Sequence, residues 1–148
     1  MVVRNTLAFT KVAKMPYKKL IPANPQTLGD HIKRKRLQLR LLQKEVAEKI
    51  GVSEDSITGW ENGRSVPQIH LYPAIIVLLG YYPFEKDITT VSGQIEFVRF
   101  NNGWSYERRA MAFSANATAV LDWHNKNKIF SKSHKRILET LLQQCLSK

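Results

Sequence analysis

The glycine at position 51 constrains this chain more than any other residue, because it divides two short apolar-patterned stretches and forces a sharp turn between them. From Gln43 to Ile50 the pattern predicts a helix with Val46, Ala47 and Ile50 inward, and Gly51 then ends it. Ser53 offers a hydroxyl to cap a further helix, with Glu54 and Asp55 in its first turn, where the helix dipole favours negative charge. Val52, Ile57 and Trp60 supply its inward face, Gly63 stops it and Pro67 blocks any continuation. A small Ala47 four residues before Gly51 lets the two helices approach closely at a steep angle, and a bulkier residue there would separate them.

The flanking segments extend the same all-α reading. Leu28, Ile32 and Leu39 recur near helical spacing between a Thr27 N-cap and Arg40, while Lys33, Arg34, Lys35 and Arg36 coat much of the remaining surface. Such a run is either a solvated face or a face that touches phosphates. Pro73 fits a last helix of this unit only if that helix begins near Tyr72, where a missing N–H costs nothing; Ile75, Ile76, Leu78 and Leu79 then close the core.

Sliding the chain on itself by 63 positions (123 minus 60) sets Trp123 over Trp60, and other positions follow. Thr27 meets Thr90, Ile32 meets Ile95, Arg36 meets Arg99, Ala47 meets Ala110, Ile50 meets Phe113 and Ile57 meets Val120. Apolar positions are kept while surface residues drift, which suggests a duplicated helical unit. The expected organisation is a basic arm over 1–26, a first unit over 27–84 and a second, degenerate unit of similar type over 85–148. Gly80, Pro83 and the run Glu85, Lys86, Asp87 mark the connection.

Composition narrows the partner. Against 12 Asp and Glu stand 23 Lys and Arg, a formal charge of +11 that attracts nucleic acid or acidic membrane. The arm alone carries Arg4, Lys11, Lys14, Lys18 and Lys19 and no acid. Ala74–Leu79, the longest strongly apolar run, is far short of the roughly 20 residues a membrane-spanning helix needs. Neither a membrane segment nor a secretory signal is expected. Cys145 is the sole cysteine, so no internal disulfide or thiolate cluster is available and a cytoplasmic location is expected. His31, His70, His124 and His134 lack metal-ligand spacing, and no glycine-rich phosphate loop appears. No enzyme activity, cofactor or metal is expected.

The stretch Gln43-Lys44-Glu45-Val46-Ala47-Glu48-Lys49-Ile50-Gly51-Val52-Ser53, followed by Ile57-Thr58-Gly59-Trp60-Glu61-Asn62-Gly63-Arg64 and Pro67, resembles the lambda-repressor-like, xenobiotic-response-element type of helix-turn-helix regulators. The resemblance covers nearly all of 27–80. It implies a bundle of about five helices whose third reads bases in double-stranded DNA, with phosphate contacts at the start of the second. On that basis Gln43 is the phosphate-contact candidate; Ser53, Glu54, Asp55, Thr58 and Gly59 fall at DNA-facing positions; Arg64 follows the helix where the backbone is touched. Arg36, Arg40, Lys44 and Asn62 complete the expected DNA-binding set.

Two features depart from the family pattern. Arg40 and Leu42 stand where a glycine and a capping Ser or Thr are usual, so the second helix loses its cap. Carboxylates near phosphates repel unless they accept a hydrogen bond, as from cytosine N4, so Asp55 is read first as a capping and dipole residue. With Gly59 lacking a side chain, direct base reading by this helix is sparse and DNA shape carries more of the recognition.

The second unit regains Gly103 and Ser105 at the places of Arg40 and Leu42, but Tyr106 replaces Gln43, Arg109 replaces Val46, and Asn116 to Ala119 replace Ser53 to Ser56. Holding a second DNA half-site and packing against another unit both remain open for it. Ile137, Leu138, Leu141, Leu142, Cys145 and Leu146 form a helical stripe, part of which offers a homodimer seam. The expected function is a sequence-specific, double-stranded-DNA-binding transcriptional regulator, a repressor. The rivals are an antitoxin-like or adaptor module binding protein, and an RNA-binding role that no aromatic-rich sheet motif supports.

Overall fold

The computed structural model describes residues 20–85, 87–129 and 131–147, so most of the basic arm lies outside the described residues. The described residues form eight α-helices and one short 3-10 turn, in two groups of four helices, each closed around its own apolar cluster.

Helix α1 (Leu28–Gln38) starts at a reciprocal cap. The Thr27 hydroxyl accepts from the Asp30 N–H at 3.1 Å, and the Asp30 carboxylate accepts from the Thr27 N–H at 3.0 Å. Those backbone donors hold the Asp30 carboxyl below its ordinary value. Leu39 was expected inward, yet it is the C-cap and half-exposed, and Leu37 is buried instead. Leu39 keeps a right-handed backbone at the end of α1, and the left-handed Arg40 that follows, with φ of 56°, carries the chain away so that Leu39 stays half-exposed.

Helix α2 (Gln43–Ile50) has no side-chain cap from Leu42, as expected, but Glu45 compensates by accepting the Leu42 N–H at 2.6 Å. It ends at Gly51, whose φ of 83° is the left-handed value the sharp turn requires. Helix α3 (Glu54–Glu61) begins at Ser53, whose hydroxyl accepts from the Ser56 N–H at 3.2 Å. Helix α4 (Tyr72–Leu79) carries Pro73 in its first turn, where no N–H is missed.

Ile32, Val46, Ala47, Ile50, Ile57, Trp60, Ile75 and Leu79 make the first core. Each fully buried aliphatic side chain among them contributes about 1.5–3 kcal/mol. Trp60 belongs to this core rather than to the surface. Gly29 lets α1 lie directly on the end of α3, because a Cβ there would overlap the Trp60 carbonyl.

The second group consists of α5 (Val91–Asn102), α6 (Tyr106–Ala112), α7 (Ala117–Lys126) and α8 (Lys132–Leu146). Its core is Ile95, Val98, Ala110, Phe113, Val120, Trp123, Leu138 and Cys145, so the cysteine faces inward. The two groups meet where α4 packs on α5. There Tyr72, Tyr82, Phe84, Phe97 and Phe100 form an aromatic cluster with ring centroids 4.5–5.2 Å apart. Among the described residues no helix is long and apolar enough to cross a membrane.

Candidate nucleic-acid interface

Helix α3 packs on α1 and α2 through Ile57 and Trp60 and turns its other side to solvent. Glu54 and Asp55 in its first turn are exposed, as are Ser53 before it and Asn62 and Arg64 after it; Thr58 is half-exposed. The expected base-reading face is therefore uncovered among the described residues. Lys44 on α2 and Arg40 in the preceding turn are also exposed, on the stretch that leads into α3.

A buried polar network fixes the angle between the helices. Glu61, at the end of α3, has a side chain only 1% exposed and forms a two-pronged ion pair with Arg36 of α1, Nε to Oε1 at 2.6 Å and a second guanidinium nitrogen to Oε2 at 2.7 Å. Arg36 also donates to the Leu41 carbonyl at 3.2 Å, which holds the turn between α1 and α2. Gln43, the first residue of α2, donates its amide to Glu61 at 2.9 Å and accepts from the Thr58 hydroxyl at 3.0 Å. One chain of contacts thus joins α1, α2 and α3.

Two of the expected DNA-binding residues stand in buried surroundings. Arg36 was placed among the DNA-binding residues, but its guanidinium is turned inward on Glu61 and its side chain is 12% exposed. In this arrangement it ties α1 to the end of α3. Gly59 was placed on the DNA-facing surface, yet it is buried, and a Cβ there would lie 2.8 Å from the Ser65 Oγ. Its carbonyl accepts from the Arg64 and Ser65 N–H groups, so it seats the loop after α3. Glu61 was missed as a functional residue. Its position beside the core residue Trp60, where a carboxylate needs a buried partner, was the available signal.

Gln43, the expected phosphate contact, stands at the start of α2 and is constrained by this network. An amide NH2 has two hydrogens, and Glu61 takes one, which leaves the other for a phosphate oxygen beside the unpaired N–H groups that begin α2. Arg64 approaches Asp55 at 3.7 Å, both side chains mostly in solvent. Such a pair is worth at most about 1 kcal/mol, so Arg64 can leave it for a phosphate, while its charge offsets the carboxylate on the reading face.

A family model described as helix-turn-helix matches residues 32–86. No curated protein and no solved structure matched the chain. The matched span 32–86 is thus a helix-turn-helix of the lambda-repressor-like type, with α2 and α3 as its paired helices.

Proposed function

Given a lambda-repressor-like helix-turn-helix in residues 32–86, we propose that the chain is a sequence-specific, double-stranded-DNA-binding transcriptional regulator that acts in the cytoplasm as a repressor. The observation that carries this reading is the uncovered outer face of α3, locked at a fixed angle to α2 by the Gln43, Thr58 and Glu61 network. In the proposed complex α3 lies in the major groove, where Glu54, Asp55, Thr58 and Asn62 face base edges. Gln43, Lys44, Arg40 and Arg64 hold the strands on either side. Repression follows from occupying a promoter that polymerase would otherwise enter. Sparse direct contacts from short side chains give shape recognition a large share of the specificity.

The test is selection of bound fragments from sheared genomic DNA, followed by mobility-shift titration with unrelated duplex as competitor. A recovered motif whose complex survives competitor, and whose affinity falls steeply with salt, supports the proposal. Absence of any duplex binding at low salt refutes it and favours a protein-binding module.

A further inference from the structure

The second helical group lies outside the matched span, and its helices follow those of the first in kind and order. Thr27 and Thr90 cap α1 and α5, and Ser53 and Asn116 cap α3 and α7, with the Asn116 side chain accepting the Ala119 N–H at 2.7 Å. Trp60 and Trp123 are equally buried at 6% exposure, and Ala47 and Ala110 are both core residues at the joint of a helix pair. Every one of these pairs is separated by the same interval as the two tryptophans.

We infer that α6 and α7 form a second helix-turn-helix and that α7 reads a second segment of the same duplex, so that one chain recognises two unlike half-sites. This rests on the proposed DNA-binding function of the first group. Three observations favour DNA over another occupant of the α7 face.

First, Ala117, Thr118, Leu121, Asp122, Asn125 and Lys126 of α7 are all exposed, and the joint between the groups is made by α4 and α5. Second, the charge is right. Residues 88–147 hold eight Lys and Arg against four Asp and Glu, whereas residues 27–85 hold eight against seven. The group without a family match is therefore the more strongly basic one, and Arg108, Lys126, Lys128, Lys132, Lys135 and Arg136 are exposed on it. Third, the first turn of α7 has no acidic residue, where α3 has two. The methyl groups of Ala117, Thr118 and Leu121 form a small apolar face suited to thymine methyls, larger than the single Thr58 methyl that α3 offers.

The core of the second group holds its changed polar residues in an internal ion-pair cluster, although the Nε atoms of Arg99 and Arg109 are buried without a hydrogen-bond partner. Arg109, which replaces Val46, is 2% exposed and donates to Glu96 at 2.9 Å, and Glu96 also accepts from Arg99 at 3.2 Å. The Tyr106 ring lies under both guanidiniums, at 4.1 and 4.9 Å. Tyr106 thus braces α6 against α5 as Gln43 braces α2 against α3.

Hydroxyl-radical footprinting of the full chain on its selected duplex tests the inference, with chain-to-duplex stoichiometry measured by sedimentation. The substitutions are on exposed residues, and circular dichroism melting checks the fold. One chain per duplex should protect two separate segments. The double variant Thr118→Glu, Leu121→Glu should lose one segment and roughly tenfold or more in affinity, and Arg64→Glu should weaken protection of the other. A single segment unaffected by the α7 variant overturns the inference, leaves the first group's function intact and points to a protein-binding face. Two segments covered by two chains, both weakened by Arg64→Glu alone, also overturn it. Failure to bind any duplex removes the underlying function instead.

Discussion

Replacing Glu61 by Gln should unsettle the helix-turn-helix more than any surface change, and its size can be worked from the geometry. Glutamine keeps the shape of Glu61 and its contact with Gln43, so no cavity opens and the loss is electrostatic. Two charge-assisted bonds between ions, at 2.6 and 2.7 Å, become at best one bond from the guanidinium to a neutral amide oxygen, and the Arg36 charge loses its counter-ion at a site only 12% exposed. Breaking a buried pair on one side costs about 3–5 kcal/mol. The remaining Arg36 bond to Leu41 and its partial exposure place this case near the lower end, about 3 kcal/mol. Against a total stability of about 5–15 kcal/mol the domain still folds. For the 148-residue chain unfolding as one cooperative unit the midpoint of thermal unfolding should fall by about 6–12 °C. Urea unfolding followed by circular dichroism gives the free energy directly. The paired variant Arg36→Met, Glu61→Leu removes both charges and should recover most of the loss. A loss below about 1 kcal/mol for Glu61→Gln, or no recovery in the paired variant, would refute the assigned role of this network.

Other outcomes follow from the same geometry. Gly29→Ala should destabilise by at least about 2 kcal/mol in urea unfolding, reversing the gain of up to about 1 kcal/mol that helix propensity alone would give, because the new Cβ collides with the Trp60 carbonyl. The Thr27 backbone N–H holds the folded Asp30 carboxyl below the usual carboxylate range, so its contribution is present above the unfolded value and is lost as pH falls through the lowered one. Asp30→Asn should therefore lower stability at neutral pH by about 1 kcal/mol, the scale of a lost cap, and should flatten the acid limb of the stability profile. Gln43→Ala and Arg64→Ala should each weaken duplex binding across all sequences; Arg64→Ala, which removes a cation, should also reduce the salt slope by about 1, whereas loss of the neutral Gln43 amide should leave the slope nearly unchanged. A change in sequence preference with an unchanged slope would assign either residue to base reading.

The first unit was readable because its boundaries are written in local chemistry. Thr27, Ser53, Gly51, Gly63 and Pro73 each act within one turn of their own position, and the observed ends of α1 to α4 follow them closely. The inward direction of Trp60 and Cys145 was likewise set by helical spacing. What the spacing did not show depended on contacts between helices and loops. Arg36 lies in a run of four basic residues, and nothing local separates the one that turns toward Glu61, 25 positions away, from the others. Gly59 looked like a trimmed surface position because the loop that folds back over it is defined only in three dimensions. Leu39 failed for a subtler reason, since its place in the spacing pattern was outweighed by the left-handed turn at Arg40. Glu45 took over the missing Leu42 cap by reaching back three residues, which the spacing of the two made possible to read.

Amide chemical-shift mapping of the full chain during titration with its selected duplex puts the role of α3 to its most direct trial. The largest changes in the first unit are expected at residues 53–58 and 62–64, together with the side-chain NH2 of Gln43, and should saturate at one equivalent. Changes confined to the faces of α1 and α4, with residues 53–58 unmoved at saturation, would mean that duplex DNA never meets this helix.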